Sequence, residues 1–219
     1  MNIANKLTVL RMLLIPVFLY FFMSYEWMPT YAYPIPGPEP VTWLQRYPLG
    51  FRYTAIIIFA VAASTDFLDG YLARKLGLVT NFGKFLDPVA DKLLVTSALI
   101  AMITVLTPIA SVPVWVVILI VGRDIMISSF RMIASSENIV IAADMAGKIK
   151  TVLQMVMIIY LMLLDTTMTH GRFDDFVWQY GRLAMQIGNV LVWAVAILTV
   201  WSAISYLVKN KQVLKLHEM

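Results

Sequence analysis

The chain has 219 residues, 60% of them hydrophobic and 14% charged, with 17 Lys and Arg against 13 Asp and Glu. Soluble domains average roughly 45–50% apolar and about 25% charged residues. The balance therefore excludes a disordered chain, a nucleic-acid-binding tail and an ordinary soluble globule, and points to an integral membrane protein.

A membrane-crossing helix needs about 20 mostly apolar residues, and six such segments follow one another. The first runs from about Leu7 to Ser24, with Pro16 as an expected kink. Its apolar run has no small-residue cleavage site and reads as a span, not a signal. A loop from Glu26 to Gly50 follows, in which six Pro disfavour regular helix. The second span runs from about Tyr53 into Asp66–Ala73, and the third covers about Phe85–Leu106. Thr107, Pro108 and Pro113 mark a short turn before the fourth, about Val114–Ala134. The fifth runs from about Gly147 to Leu164 and the sixth from Leu183 to Val208, without a charge. No repeat or soluble module interrupts the pattern, so residues 1–219 read as a single all-α, polytopic membrane domain.

An even number of spans puts both termini on one side. That side would hold 13 Lys and Arg (Lys6, Arg11, Arg74, Lys75, Lys84, Lys92, Arg123, Arg131, Lys148, Lys150, Lys209, Lys211 and Lys215). The other would hold 4, namely Arg46, Arg52, Arg172 and Arg182. Basic residues favour the cytoplasmic side, so the termini are expected there, in a multi-pass membrane protein. Trp115, Trp178, Trp193 and Trp201 read as interfacial anchors.

Arg11, Asp66, Asp69, Asp91, Arg123 and Arg131 fall inside the spans, toward the cytoplasmic end. Each such charge costs roughly 2.5–3.5 kcal/mol at a helix centre. Repeating that cost across several helices argues for a shared polar cavity open to the cytoplasm. Snorkelling to the interface accounts for Arg11 and Arg131; it does not account for Asp66, Asp69 or Arg123.

Four carboxylates lie within 26 residues. Asp66 and Asp69 are three apart and Asp87 and Asp91 four apart, so each pair shares a helix face. The two helices are consecutive and expected to be antiparallel neighbours, which lets all four carboxylates converge. Clustered anions at low dielectric need counter-charge, and oxygen-only ligands favour a hard divalent ion such as Mg²⁺ or Mn²⁺. Gly70 and Gly83 leave room for a ligand beside the backbone. The plainer alternative is surface salt bridging to Arg74, Lys84 and Lys92. There is no Cys to supply a thiolate, and His170 and His217, in a loop and near the C-terminus, disfavour a His-based metal site or a Ser-His-Asp triad.

The string D-x-x-D-G-x-x-A-R, eight residues, then G-x-x-x-D-x-x-x-D resembles the signature of the CDP-alcohol phosphotransferases. Every motif position is filled: Asp66, Asp69, Gly70, Ala73, Arg74, Gly83, Asp87 and Asp91. The resemblance spans most of the chain. Asn5-x-x-Thr8-x-x-Arg11, Leu78–Pro88 and Gly147-Lys148-Ile149-Lys150-Thr151 resemble the bacterial phosphatidylglycerophosphate synthase branch. Asp124 departs from that pattern, where Glu is usual after Arg123, and the Pro-rich loop is long.

The resemblance implies a homodimer that joins the phosphatidyl group of CDP-diacylglycerol to sn-glycerol 3-phosphate and releases CMP. It implies two Mg²⁺ or Mn²⁺ per site, one held by Asp66, Asp69 and Asp87 and one by Asp66, Asp87 and Asp91, with Asp91 also the general base. It implies a CDP-diacylglycerol site on Gly70, Ala73, Arg74 and Thr80, joined by Asn5 and Thr8, which fit an N-terminal helix cap equally well. An acceptor phosphate would need cations of its own. Arg123, Arg131, Lys148 and Lys150 are the candidates, Arg through its planar fork. Arg123 could instead pair with Asp124 or Asp144, and Lys150 could be a plain cytoplasmic-side charge.

Rival readings keep the chemistry and change the acceptor to phosphatidylglycerol, serine or inositol phosphate, or replace it with prenyl transfer or cation transport. Serine has no phosphate for four cations to bind. Prenyl transfer commonly uses adjacent Asp pairs, absent from this motif. Transport predicts polar residues continuing to the far side, yet the outer halves of spans two to six read as almost wholly apolar.

Overall fold

Apolar segments of this length fold as helices because lipid offers no partner to a free backbone N–H or C=O. The computed structural model describes residues 3–27, 50–65, 81–106, 110–136, 145–170 and 174–210, which form six helices. These are α1 (Ile3–Trp27), α2 (Gly50–Thr65), α3 (Asn81–Val105), α4 (Val114–Ser136), α5 (Met145–His170) and α6 (Asp174–Lys209). The described residues contain no strand. Among them, α5 and α6 each contain a stretch long and apolar enough to cross a membrane, Met145–Met168 and Tyr180–Lys209.

The ends follow local chemistry. Pro113 stops the preceding turn, and its carbonyl accepts from the N–H of Val116 and of Val117 as α4 begins. Asn210 closes α6 by donating both its backbone N–H and its Nδ2 to the Tyr206 carbonyl. α1 continues through Pro16. α6 starts nine residues before the expected Leu183, because an apolar run marks the lipid-embedded part of a helix, not its interfacial turns. The expected continuation of the second span into Asp66–Ala73 lies outside the described residues, as does most of the Pro-rich loop.

Side-chain pairs fix the directions. Phe18 meets Phe59, Phe21 meets Phe51 and the Arg52 guanidinium lies over Phe22, so α1 and α2 are antiparallel. Tyr160 donates to the Ala184 carbonyl at 2.8 Å, and Gly147 lies beside Ser202, so α5 and α6 are antiparallel. A Cβ on Gly188 would come within 3.1 Å of Leu161 Cδ2, so a side chain there would hold these two helices apart. α4 and α6 run parallel, through Trp115–Trp193, Arg123–Ser202 and Arg131–Tyr206. α3 packs against α1, α4 and α5.

The core between the helices is apolar, with Phe18, Phe22, Phe59, Leu99, Met102, Ile120 and Ile158 fully buried. The outside is apolar too: Ile118, Val152, Ile197 and Trp201 are each about two-thirds exposed, at 66%, 64%, 65% and 65%. Contiguous exposure on this scale is what lipid contact tolerates and water does not. Hydroxyls on these helices turn back to their own backbone, as Thr54, Ser64, Thr166 and Thr199 do to the carbonyl four residues earlier.

One end of the bundle carries a buried ion pair just beyond the apolar runs. Arg52 Nη1 donates to Asp165 Oδ2 at 2.9 Å, and Nη2 donates to the Val105 carbonyl. Both residues are buried. The sequence counted Arg52 only as a far-side charge and left Asp165 unmarked, because each lies one residue outside the span boundary drawn from hydropathy. Losing one partner of a buried pair costs roughly 3–5 kcal/mol, whereas an apolar replacement of both can be neutral. Asp165→Ala should therefore lower the melting temperature in detergent strongly, and Arg52→Met with Asp165→Leu should recover most of the loss. Equal stability of the single variant and wild type would show that the pair holds nothing.

Candidate active site

Polar groups gather at the other end of the bundle. In α1, Thr8 and Arg11 are both 1% exposed and one turn apart. Thr8 stands inside the helix, which begins at Ile3, so it is no cap. Arg11 does not snorkel as expected; its side chain turns into the bundle. Asn5 lies in the first turns of the same helix.

α4 and α5 supply the most highly charged described group. Arg123 Nη1 donates to Asp124 Oδ1 at 2.9 Å. Lys150 Nζ, on α5, donates to both oxygens of the same carboxylate, at 2.9 and 2.8 Å. Arg123 Nη2 donates to Ser202 Oγ on α6. The Lys150 side chain is 1% exposed, which a charge serving topology alone would not be. Of the two partners open to Arg123 from sequence, the structure selects Asp124; Asp144 lies outside the described residues. Among the described residues one carboxylate thus holds two cations, and Arg123 Nε keeps a buried donor with no partner among them.

Gly147 makes the arrangement possible. A Cβ there would stand 3.3 Å from Arg123 Nη2 and 3.8 Å from Ser202 Oγ, tight enough to displace the guanidinium. Arg131 is exposed, with its guanidinium 5.8 Å from the centroid of the Tyr206 ring, one turn beyond Ser202 on α6. Lys148 is exposed and, at two residues from Lys150, about 200° around the helix. The structure therefore joins Arg123 and Lys150 through Asp124, sets Arg131 along the same side of α6, and leaves Lys148 at the surface.

The helix that carries the second half of the carboxylate motif, α3, is tied to this cluster. Asp87 and Asp91 are one turn apart in its first half, in helical register with the buried positions Val95, Ala98 and Met102. Lys92, the residue after Asp91, donates to Ser128 Oγ of α4, and Ser128 Oγ donates to the Asp124 carbonyl at 2.7 Å. A short hydrogen-bond path thus connects the helix of Asp87 and Asp91 with the Asp124 turn. Asp66, Asp69, Gly70, Ala73, Arg74, Thr80 and His217 lie outside the described residues, and no group of three metal-binding side chains occurs among those described. The donor set nonetheless suits a hard divalent cation, being carboxylate oxygen only, with two members spaced by one helical turn.

Sequence reasoning missed Ser202, Tyr206, Gln154 and the central role of Asp124. Ser and Thr in an apolar helix usually bond their own backbone, so Ser202 carried no distinguishing signal. Asp124 did carry one, a carboxylate beside a deep Arg. Because Asp124 compensates buried Lys150, Asp124→Asn should cost stability, toward the lower part of the roughly 3–5 kcal/mol for breaking a buried pair. Thermal unfolding in detergent reads this directly, with Asp124→Glu restoring most of the loss; an unchanged midpoint for Asp124→Asn would refute the compensation.

Comparison with known proteins adds an independent line. The sequence model of the family described as CDP-alcohol phosphatidyltransferase matches residues 1–201. The chain is 35% identical over 215 residues to a CDP-diacylglycerol–glycerol-3-phosphate 3-phosphatidyltransferase of Bacillus subtilis (strain 168), covering 98% of this chain and 97% of the relative. Proteins of the same description from Shigella flexneri serotype 5b and Escherichia coli (strain K12) are each 34% identical over 212 residues, covering 94% of this chain and 93% of theirs.

Proposed function

The chain belongs to the CDP-alcohol phosphatidyltransferase family, and from that premise we propose that it transfers a phosphatidyl group from CDP-diacylglycerol to sn-glycerol 3-phosphate, with release of CMP. The full-length similarity to relatives described by that reaction supports the donor and the acceptor. The observation that carries the acceptor is the Arg123–Asp124–Lys150 cluster, in which two cations meet one described carboxylate, with its link through Ser128 and Lys92 to the helix of Asp87 and Asp91. A dianionic phosphate suits it; serine, with no phosphate, does not.

In this reading Arg123 and Lys150 grip the acceptor phosphate, with Arg131 at the opening and Lys148 attracting the anion from the surface. Asp91 accepts the proton of the acceptor hydroxyl as its oxygen attacks the donor phosphorus. The new P–O bond forms as the bond to CMP breaks. Gly70, Ala73, Arg74 and Thr80, with Asn5 and Thr8, line the donor site. Asp66, Asp69, Asp87 and Asp91 would hold two divalent ions, Mg²⁺ or Mn²⁺, which when bound spread charge off the pyrophosphate and the leaving group. We further read all six helices as membrane spans, with both termini and the site on the cytoplasmic side; the 13 to 4 division of Lys and Arg and the alternating helix directions support this.

Arg123→Ala should lose roughly 10- to 150-fold in kcat/KM for glycerol 3-phosphate, the worth of a hydrogen bond to a charged group, while binding of CDP-diacylglycerol stays close to wild type. Equal loss of donor binding would reassign Arg123 to the donor or the fold. Asp66→Asn and Asp87→Asn should each leave less than about a tenth of the CMP-forming activity. Asp91→Asn should stay inactive in excess Mn²⁺; recovery there would reduce Asp91 to a metal ligand. Single Cys residues placed at Glu39 and Glu218 should label differently from outside intact cells, and equal labelling would overturn the topology.

A further inference from the structure

Gln154 lies one turn beyond Lys150 on α5, about 6 Å along the axis. Both belong to the stripe Gly147, Lys150, Gln154, Met157, Leu161, which faces the bundle interior. Gly147 abuts Arg123 and Ser202, and Lys150 holds Asp124, so the upper part of this stripe looks onto the cation cluster. Gln154 is 2% exposed, and its Nε2 has no hydrogen-bond partner among the described residues. One turn deeper, Met157 and Ile158 are fully buried and apolar. The amide therefore occupies the boundary between the polar cluster and the apolar core.

A buried amide N–H without a partner is costly, and such a group calls for an explanation. Leu or Met would fill the position without that cost. Being neutral, the amide compensates no charge in the cluster. It offers one donor and one acceptor side by side, which is what a hydroxyl requires. Beyond its phosphate and its reacting primary hydroxyl, glycerol 3-phosphate has one more polar group, the secondary hydroxyl.

We propose that Gln154 is a specificity residue whose amide hydrogen-bonds the non-reacting secondary hydroxyl of the acceptor while Arg123 and Lys150 hold its phosphate. This rests on the acceptor reading above. With the phosphate and the secondary hydroxyl both fixed, the primary hydroxyl is left to turn toward α3 and its carboxylates. A bound molecule with only a phosphate would be free to rotate about that anchor.

The test compares two acceptors on the full-length protein in detergent with CDP-diacylglycerol as donor. One is glycerol 3-phosphate. The other is 3-hydroxypropyl phosphate, which keeps the phosphate and the primary hydroxyl and lacks the secondary one. Wild type should prefer glycerol 3-phosphate by about 10- to 100-fold in kcat/KM, since a buried amide built to pair with a hydroxyl rejects an analogue without it. Gln154→Leu and the nearly isosteric Gln154→Met should bring glycerol 3-phosphate down to about the analogue's value, with the analogue itself changed by less than about threefold. Without acceptor, both variants should melt above wild type, because the unpaired amide is gone. A wild type that treats the two acceptors alike overturns the inference. So does a Gln154 variant that keeps the full preference, which would give the amide to a buried water, or one that loses both acceptors equally, which would make it a packing residue. A wild type that releases no CMP with glycerol 3-phosphate overturns the proposed reaction instead.

Discussion

A single carboxylate, Asp124, holds the guanidinium of its neighbour Arg123 and the ammonium of Lys150 from the next helix. In an apolar bundle an uncompensated ammonium is too costly to keep, so this contact determines much of what surrounds it. It draws α4 and α5 together at one end. It places Arg123 where only a glycine at 147 leaves it room, and it directs the other arm of the guanidinium to Ser202 on α6.

The two ends of the bundle carry two different charge arrangements. At the far end Arg52 and Asp165 neutralise each other, with a carbonyl and an aromatic face taking up the rest of the guanidinium. At the other end the cations outnumber the described carboxylate, an Arg123 donor stays unused, and an unpartnered amide lies just beneath. The helix directions bring residues as far apart as Arg11, Lys92, Arg123, Lys150 and Ser202 to one end.

Much of this was legible in the sequence. Six apolar runs gave six helices, because hydrophobic length is a direct consequence of what lipid demands. The depth of Arg123 marked it as more than a topology charge, and its eight-residue spacing from Arg131 set both along α6. The spacing of Asp87 and Asp91 survives as one turn of α3. Other features were invisible for physical reasons. Arg52 and Asp165 are 113 positions apart, and no local pattern announces such a partner. Ser202 and Gln154 look like ordinary helix residues until their neighbours are known. Thr8 and Arg11 read as cap and snorkel, since a sequence near a helix start does not reveal which side faces the bundle.

The central claim is that this end of the bundle grips an acceptor by its phosphate. It is tested most directly by measuring CMP release from CDP-diacylglycerol by the purified wild-type protein with glycerol 3-phosphate, plain glycerol, serine and inositol phosphate supplied in turn. The account predicts rapid release with glycerol 3-phosphate and little with glycerol or serine, which cannot engage Arg123 and Lys150. Release with plain glycerol as fast as with glycerol 3-phosphate would contradict it.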